Sequence, residues 1–349
     1  MPVFATTPRA ILEHGIAAGA FPGAVAHLRR ADDVVCDVAV GKLGVEAPFE
    51  MPTNRQTRYD LASLTKIYTL TAALMVLREA KIALETPLRR FFPAFEAPIS
   101  LENLMAHRSG LVFPIQKLEV AANDWIPRIA AAPANAPGAA VLYSCTNYFL
   151  LARVSESVAG ASLDELIQTR ILTPLQCENT SFTPRNLENV APTERHETGF
   201  HHGEVHDEAA RRWRAQTQTC AGNAGLWASA CDVARFAALW TKPDQKLLHH
   251  ADIERAFSSR WPENEGFRGL GWQLDAPFYM DEAPRGTAGH LGFTGPSLVV
   301  HRASRSIAVI LSNRVHPTRF GPNRLPFHRE ISRWLFDEPK RNGKPATNP

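Results

Sequence analysis

The clearest strand signals stand at the two ends of this chain, and the helical signals lie between them. Near the N-terminus, Ala24 to Arg30 and Val34 to Val40 read as two short strands, with Ala31-Asp32-Asp33 as the hairpin turn. After about residue 262 strand character returns, in Gly269 to Leu274, Ser297 to His301 and, most clearly, Ser306 to Ser312 (SIAVILS). Ala303 to Arg305 joins the last two as a hairpin. Segments so distant in sequence must meet in one antiparallel sheet, which confines the chain to an α+β architecture with a long insertion.

The flanking and intervening segments read as helices. Thr7 to Ala18 is amphipathic, with Pro8 in its first turn, and Asn323 to Phe336 reads as a closing helix. From Leu64 onward, IYTLTAALMVLREAKI carries apolar residues at helical spacing. Ser100-Leu-Glu-Asn opens another helix, which Gly110 ends, Ser162-Leu-Asp-Glu165 is a capping box, and Asp232 to Trp240 is a further helix. The expected organisation is a sheet region of 1–62 with 262–337, flanked by terminal helices, a mostly helical region 63–261, and a loose, disordered tail 338–349.

Among the 349 residues, 38 basic side chains against 35 acidic ones give a net charge of +3, and no Lys/Arg block appears. Nucleic acid is therefore not an expected partner. Apolar stretches such as Leu70 to Leu77 fall far short of the roughly 20 residues a membrane span needs. The N-terminus lacks the basic-then-apolar pattern of a secretory leader. The five cysteines (Cys36, Cys145, Cys177, Cys220, Cys231) are odd in number, widely spaced and without a CxxC. The expectation is a cytoplasmic chain, and its oligomeric state stays open.

Three short elements carry the chemistry. Ser63-Leu64-Thr65-Lys66 is the one S-x-x-K in the chain. It opens the long apolar helix, where residues i and i+3 share a face and N-terminal N–H groups favour developing negative charge. Desolvation is expected to lower the pKa of Lys66 toward that of a working base. The second element is Tyr143-Ser144-Cys145, and the third is Gly289-His290-Leu291-Gly292-Phe293-Thr294-Gly295, just ahead of the terminal hairpin.

In this order and spacing the three elements resemble the penicillin-recognising serine hydrolases. The tyrosine of the middle element points to the class C β-lactamase-like branch, with its carboxylesterases, D-aminopeptidases and DD-peptidases. Ser100 to Leu111, Thr173 to Phe182, Val190 to Ala210, Ala221 to Phe236 and Ser312 to Pro317 resemble further family segments. The resemblance implies a β-lactamase/DD-peptidase-like fold and a covalent acyl-enzyme. It assigns Ser63 as nucleophile, Lys66 as its base and Tyr143 as the proton relay. Backbone N–H groups of Ser63 and Phe293 would form the oxyanion hole, while Gly292 and Gly295 let a strand edge approach the substrate.

The chain departs from the penicillinase pattern at Cys145, where Asn or Asp is usual, and at His290-Leu291-Gly292, where K-T-G or H-T-G is usual. An uncharged ester needs none of the missing groups, whereas β-lactam recognition uses them. The reading therefore leans to a carboxylesterase, with a β-lactamase or D-aminopeptidase/DD-peptidase as the alternative. A penicillin-binding or pseudoenzyme module is the reading from outside enzyme chemistry. The small-molecule substrate would be an ester, amide or β-lactam. Cys145, His290, Leu291, Gly292, His206, Asp207 and Asn313 are the expected substrate-binding residues, and Arg302 reads as an exposed hairpin residue more than a carboxylate binder. His196, His201, His202 and His206 with Asp207 form a histidine-rich loop whose spacing fits no HExxH helix, so neither metal nor cofactor is expected.

Overall fold

The computed structural model describes residues 7–242, 246–258, 268–280 and 283–341. Its strands are β1 (Gly23–Arg30), β2 (Asp33–Gly41), β3 (Tyr59–Asp60), β4 (Arg195–His196), β5 (Gly199–Phe200), β6 (Trp227–Ala228), β7 (Gln273–Leu274), β8 (Thr287–Leu291), β9 (Ser297–His301) and β10 (Ser306–Ser312). The helices are α1 (Pro8–Ala17), α2 (Thr65–Glu79), α3 (Leu101–Met105), α4 (Trp125–Ala130), α5 (Cys145–Ala159), α6 (Leu163–Ile167), α7 (Glu208–Thr217), α8 (Ala230–Thr241), α9 (His250–Phe257), α10 (Pro277–Met280) and α11 (Leu325–Arg341).

The main sheet runs β2-β1-β10-β9-β8-β7 with every neighbour antiparallel, so the two ends of the chain meet where β1 pairs with β10. Strand β10 is buried along its whole length, which is why it reads as an unbroken apolar run. Its residues alternate between two cores. Ile307, Val309 and Leu311 join the larger core, and Ala308 and Ile310 join the smaller one shared with Ile11, Leu12 and Leu335. The terminal helices α1 and α11 thus cover one face only. The other face is covered by α8, a helix from the middle of the chain that packs on β1, β9 and β10.

Helix α2 is the axis of the helical half. All of its residues from Thr65 to Leu77 are buried, so it shows no polar face. Its inward threonines are satisfied locally or across the fold: Thr71 Oγ1 donates to the Ile67 carbonyl at 2.8 Å and Thr69 Oγ1 to the Gly222 carbonyl at 2.7 Å. Ser100 and Asn103 form the reciprocal cap of α3, and Ser162 caps α6 by accepting the Glu165 N–H.

Three expected boundaries move. Helix α3 stops at Met105 instead of running to Gly110, because the chain turns through His107 at φ +56 to bury that side chain. Only Gln273–Leu274 of the expected strand Gly269 to Leu274 pairs with β8, since Gly271 turns at φ +73 and donates its N–H to the Met105 carbonyl. The closing helix continues to Arg341, past the Glu338 where a loose tail was expected to begin; 342–349 lie outside the described residues. No helix among the described residues is long and apolar enough to cross a membrane.

Gly222 joins the helical half to the site. It lies at φ +90, and a Cβ there would stand 2.5 Å from Ala152 Cβ on α5 and 2.9 Å from the Tyr148 carbonyl. Gly222→Ala is expected to destabilise the protein by about 1–3 kcal/mol, the cost of a strained non-glycine backbone. Chemical denaturation measures this, and an unchanged midpoint would contradict it.

Candidate active site

Ser63 sits on a short 3₁₀ turn, Ala62–Leu64, that leads into α2. The turn is made by a non-glycine residue in a left-handed conformation, Ala62 at φ +44. Three ties hold it: Ala62 N–H donates to Asp60 Oδ1 at 2.8 Å, Leu61 N–H to the Leu226 carbonyl at 2.8 Å, and Leu64 N–H to the Leu61 carbonyl at 3.0 Å. The strain is therefore fixed by neighbours and aims the serine at the cavity.

One helical turn on, Lys66 is fully buried. Its Nζ donates to Ser63 Oγ at 3.0 Å and to the Asn223 carbonyl at 2.9 Å, and lies 3.5 Å from Cys145 Sγ. The Tyr143 ring centroid is 5.1 Å away. Burial pulls the lysine pKa down, as the sequence led one to expect. The Cys145 thiol, the Tyr143 hydroxyl and Asp207 outweigh it, and the net shift is upward. The direction is thus opposite to the lowering expected from burial alone.

Tyr143 ends the loop before α5, with its neighbours tied to a buried histidine. His107 Nδ1 accepts the Ser144 N–H at 3.2 Å and faces Asn147 Nδ2 at 3.2 Å, and the His107 ring lies 4.4 Å from that of Tyr143. Burial, with Arg268, Lys66 and His290 nearby, pushes the His107 pKa well below its ordinary value, so the ring is a neutral wedge. Cys145 is the first residue of α5, capped by the Ser144 hydroxyl.

The third wall is the end of β8. Gly292 passes so close to the nucleophile turn that a Cβ would fall 2.5 Å from the Leu61 carbonyl oxygen. Thr294 Oγ1 then donates to the Asp60 carbonyl at 2.6 Å, stitching the Gly292–Gly295 loop to the strand that precedes Ser63. Arg324 holds the same loop from behind, donating Nε to the Gly295 carbonyl and Nη2 to the Gly292 carbonyl, both at 2.8 Å. His290 is buried, and burial together with Arg268 and Lys66 drives its pKa well down, leaving a neutral imidazole that donates Nδ1–H to the Leu291 carbonyl at 2.9 Å.

These walls enclose an open cavity of about 380 Å³ lined by Ser63, Tyr143, His290, Leu291, Gly292 and Phe293. Arg268, Gln273 and Arg324 complete it. The fold thus gathers Ser63, Lys66, Tyr143 and the β8 residues. Other expected substrate-binding residues stand behind the walls. His206 Nε2 pairs with Glu194 at 3.0 Å, its N–H goes to Asp60 Oδ2 at 2.9 Å, and its ring lies 5.7 Å from the Phe293 ring. Asp207 caps α7 and accepts from Asn223 Nδ2 at 3.1 Å, bracing the residue whose carbonyl receives Lys66. Asn313 Nδ2 donates to the Leu43 and Pro192 carbonyls at 2.7 and 2.8 Å, an interior staple away from the cavity. Arg302 pairs with Glu254 at 2.6 Å, in keeping with a hairpin residue.

The histidine-rich loop does not gather as one cluster. His201, with Nδ1 2.5 Å from Glu204, and His196 bring ligand atoms within 4.8 Å of one another, while His202 donates to the Val190 carbonyl and His206 turns inward. The contributors that sequence reading passed over are Asp60, His107, Asn223, Arg268 and Arg324. His107 and Asn223 had a local signal, since each lies inside a segment that resembles the family.

Comparison with known proteins agrees with this geometry. The chain matches the Beta-lactamase family over residues 8–333. It is 26% identical over 332 residues, 82% of this chain and 75% of the other, to a protein of Escherichia coli K12 provisionally named a D-alanyl-D-alanine carboxypeptidase. A protein of Salmonella typhi with the same provisional name is 27% identical over 326 residues, covering 80% of this chain and 74% of its own. Among solved structures, EstCE1, described as a hydrolase with promiscuous acyltransferase activity, superposes with a TM-score of 0.81 at 20% identity, covering 94% of this chain and 97% of its own. An octameric penicillin-binding protein homologue from Pyrococcus abyssi gives 0.73 at 20% identity, over 97% and 77% of the two chains. With the family match spanning the sheet, the helical half and every wall of the cavity, this chain belongs to the β-lactamase family of serine hydrolases.

Proposed function

We propose that the protein is a carboxylesterase that works through an acyl-enzyme on Ser63. The observation that carries this reading is Lys66 Nζ 3.0 Å from Ser63 Oγ, beside Tyr143, next to a cavity whose β8 edge presents Leu291. In the reacting form the Tyr143 oxygen is unprotonated beside the Lys66 cation, and it takes the proton of Ser63 as Oγ attacks the ester carbonyl. The Lys66 cation stabilises the negative charge that crosses the serine and tyrosine oxygens in that transfer. Backbone N–H groups of Ser63 and Phe293 receive the carbonyl oxygen as it becomes anionic, a contribution of about 3 kcal/mol for each donor. Tyr143 then returns the proton to the leaving alcohol and later activates the water that releases the acid.

The alternative, a β-lactamase or D-peptidase, draws on the names of the curated relatives. Against it stand Leu291, which offers no hydroxyl to an antibiotic carboxylate, and Cys145, which offers a substrate amide only a weak partner. A non-catalytic penicillin-binding module is disfavoured by the assembled Ser63, Lys66 and Tyr143.

Ser63→Ala is expected to abolish both labelling by a fluorophosphonate probe and ester turnover. Lys66→Ala should lower kcat by about 10³-fold or more, within the range for a lost activating group. Steady-state kinetics with intact-mass detection of the adduct reads both, and a fully active Ser63→Ala protein would end the reading.

Because backbone N–H groups supply the oxyanion stabilisation, EDTA should leave ester turnover unchanged. Activity lost to the chelator and restored by zinc would instead assign a working metal to His196, His201 and Glu204.

A p-nitrophenyl acetate or butyrate should turn over much faster than benzylpenicillin. One charge-assisted hydrogen bond contributes about 1.5–3 kcal/mol, so its absence costs the antibiotic roughly 10- to 100-fold. Leu291→Thr with Cys145→Asn should raise β-lactam hydrolysis more than ester hydrolysis. A wild-type kcat/KM for penicillin equal to that for small esters would favour the alternative.

A further inference from the structure

Arg268 enters the cavity wall just ahead of β7, bridged to Gln273. Its side chain is shut away, with the residue 8% exposed, and its guanidinium carbon lies 5.6 Å from the Tyr143 ring centroid. Nη1 is out of reach of solvent and has no hydrogen-bond partner. The groups that act to hold its charge are the phenols of Tyr143, Tyr148 and Tyr279; no carboxylate among the described residues does so. A guanidinium keeps its proton under all ordinary conditions. Burying it unpaired costs far more than burying a paired one, so the missing partner must come from elsewhere.

The surroundings sharpen the point. No acidic side chain among the described residues lines the cavity, and its second arginine, Arg324, already spends Nε and Nη2 on the Gly295 and Gly292 carbonyls. Lys66 is likewise occupied by Ser63 and Asn223. Arg268 is left with an unpartnered Nη1 beside Tyr143. A planar fork of N–H donors matches a carboxylate in two parallel hydrogen bonds.

We propose that Arg268 is the specificity-determining residue of this cavity and receives a carboxylate carried by the leaving-group half of the substrate. The proposal rests on the acyl-transfer reading above, because it is Tyr143, the residue Arg268 flanks, that hands a proton to the departing oxygen. The natural substrates are then esters of hydroxy acids, with an anion held beside Tyr143.

The test compares phenyl acetate, 4-carboxyphenyl acetate and the monophenyl ester of succinic acid, which carries its carboxylate in the acyl half. Arg268→Gln should lower kcat/KM for 4-carboxyphenyl acetate relative to phenyl acetate by about 10- to 100-fold, chiefly through KM, and Arg268→Lys should restore part of the ratio. Equal losses on both acetates would mean that Arg268 acts on Tyr143 and not on substrate, overturning the proposal. So would a loss confined to the succinate ester. Should Arg268→Gln fail to fold by its melting profile, product inhibition of the wild-type enzyme decides. 4-Hydroxybenzoate should inhibit phenyl acetate turnover at least tenfold more strongly than phenol, and equal inhibition overturns the proposal. Failure of the underlying reading looks different: no ester turnover and no fluorophosphonate adduct on Ser63.

Discussion

Asp60 is buried, and its two carboxylate oxygens receive the Ala62 N–H at 2.8 Å and the His206 N–H at 2.9 Å, while its backbone carbonyl accepts the Thr294 hydroxyl at 2.6 Å. The nucleophile turn, the loop behind Phe293 and the β8 exit are thereby held to one residue. Each arm acts on a different part of the chemistry. The Ala62 arm sustains a left-handed alanine that would otherwise relax, at a strain of about 1–3 kcal/mol. The His206 arm seats the imidazole that packs on Phe293, and the Thr294 arm sets the distance between the two backbone donors proposed to hold the oxyanion. Desolvation pushes the Asp60 carboxyl up, and the N–H bonds from His206 and Ala62 oppose it. Removing that carboxylate would orphan two buried N–H groups, each costing about 1–3 kcal/mol.

Around this anchor the site sets cationic side chains beside histidines that burial keeps uncharged. Lys66, Arg268 and Arg324 carry charge. His107 and His290 are kept uncharged by burial and by those same cations. Two neutral rings therefore flank Tyr143, at 4.4 and 6.2 Å between centroids, and neither competes with it for the serine proton. A uniformly positive pocket also favours every species that bears negative charge along an acyl-transfer path, from alkoxide to oxyanion to a leaving carboxylic acid's anion. The lysine is the instructive case. Its burial alone argues for a depressed pKa, yet the polar groups packed around Nζ reverse the sign.

What could be read from the sequence was what is encoded locally. The 3.6 and 2.0 periodicities, Ser100 and Ser162 at their caps and the unbroken run of β10 placed the sheet at the chain ends and α2 behind Ser63. The three motifs placed Ser63, Lys66, Tyr143 and the β8 residues on one cavity because each motif is a short segment with its own geometry. The rest is tertiary. Asn223 contributes a backbone carbonyl, invisible to any reading by side-chain type. Asp60 and Arg268 act on segments far from them in the chain, at separations of 146 residues to His206 and 125 to Tyr143. Asn313 looked like a binding group because it lies near the third motif, and Asp207 because its segment resembles a family loop, but each is consumed by carbonyls, a helix cap or a neighbouring amide. Helix α8 was assigned to the helical half by sequence position, although its apolar stripe closes the sheet.

The departures at Cys145 and Leu291 then take on a positive meaning. In a cavity where Lys66 is already held by Ser63 Oγ and the Asn223 carbonyl, a strong acceptor at position 145 is not needed to satisfy the ammonium, and a thiol at 3.5 Å fills the space. At position 291 a hydroxyl would direct an anion to the β8 edge. Leucine withholds that contact, and the unpaired Nη1 of Arg268 supplies another on the tyrosine side. On the proposed reading, the anion that Leu291 does not hold at the strand edge is held by Arg268 beside Tyr143. Recognition by Arg268 and hydrolysis of esters, both proposed here, would in this sense be one specificity.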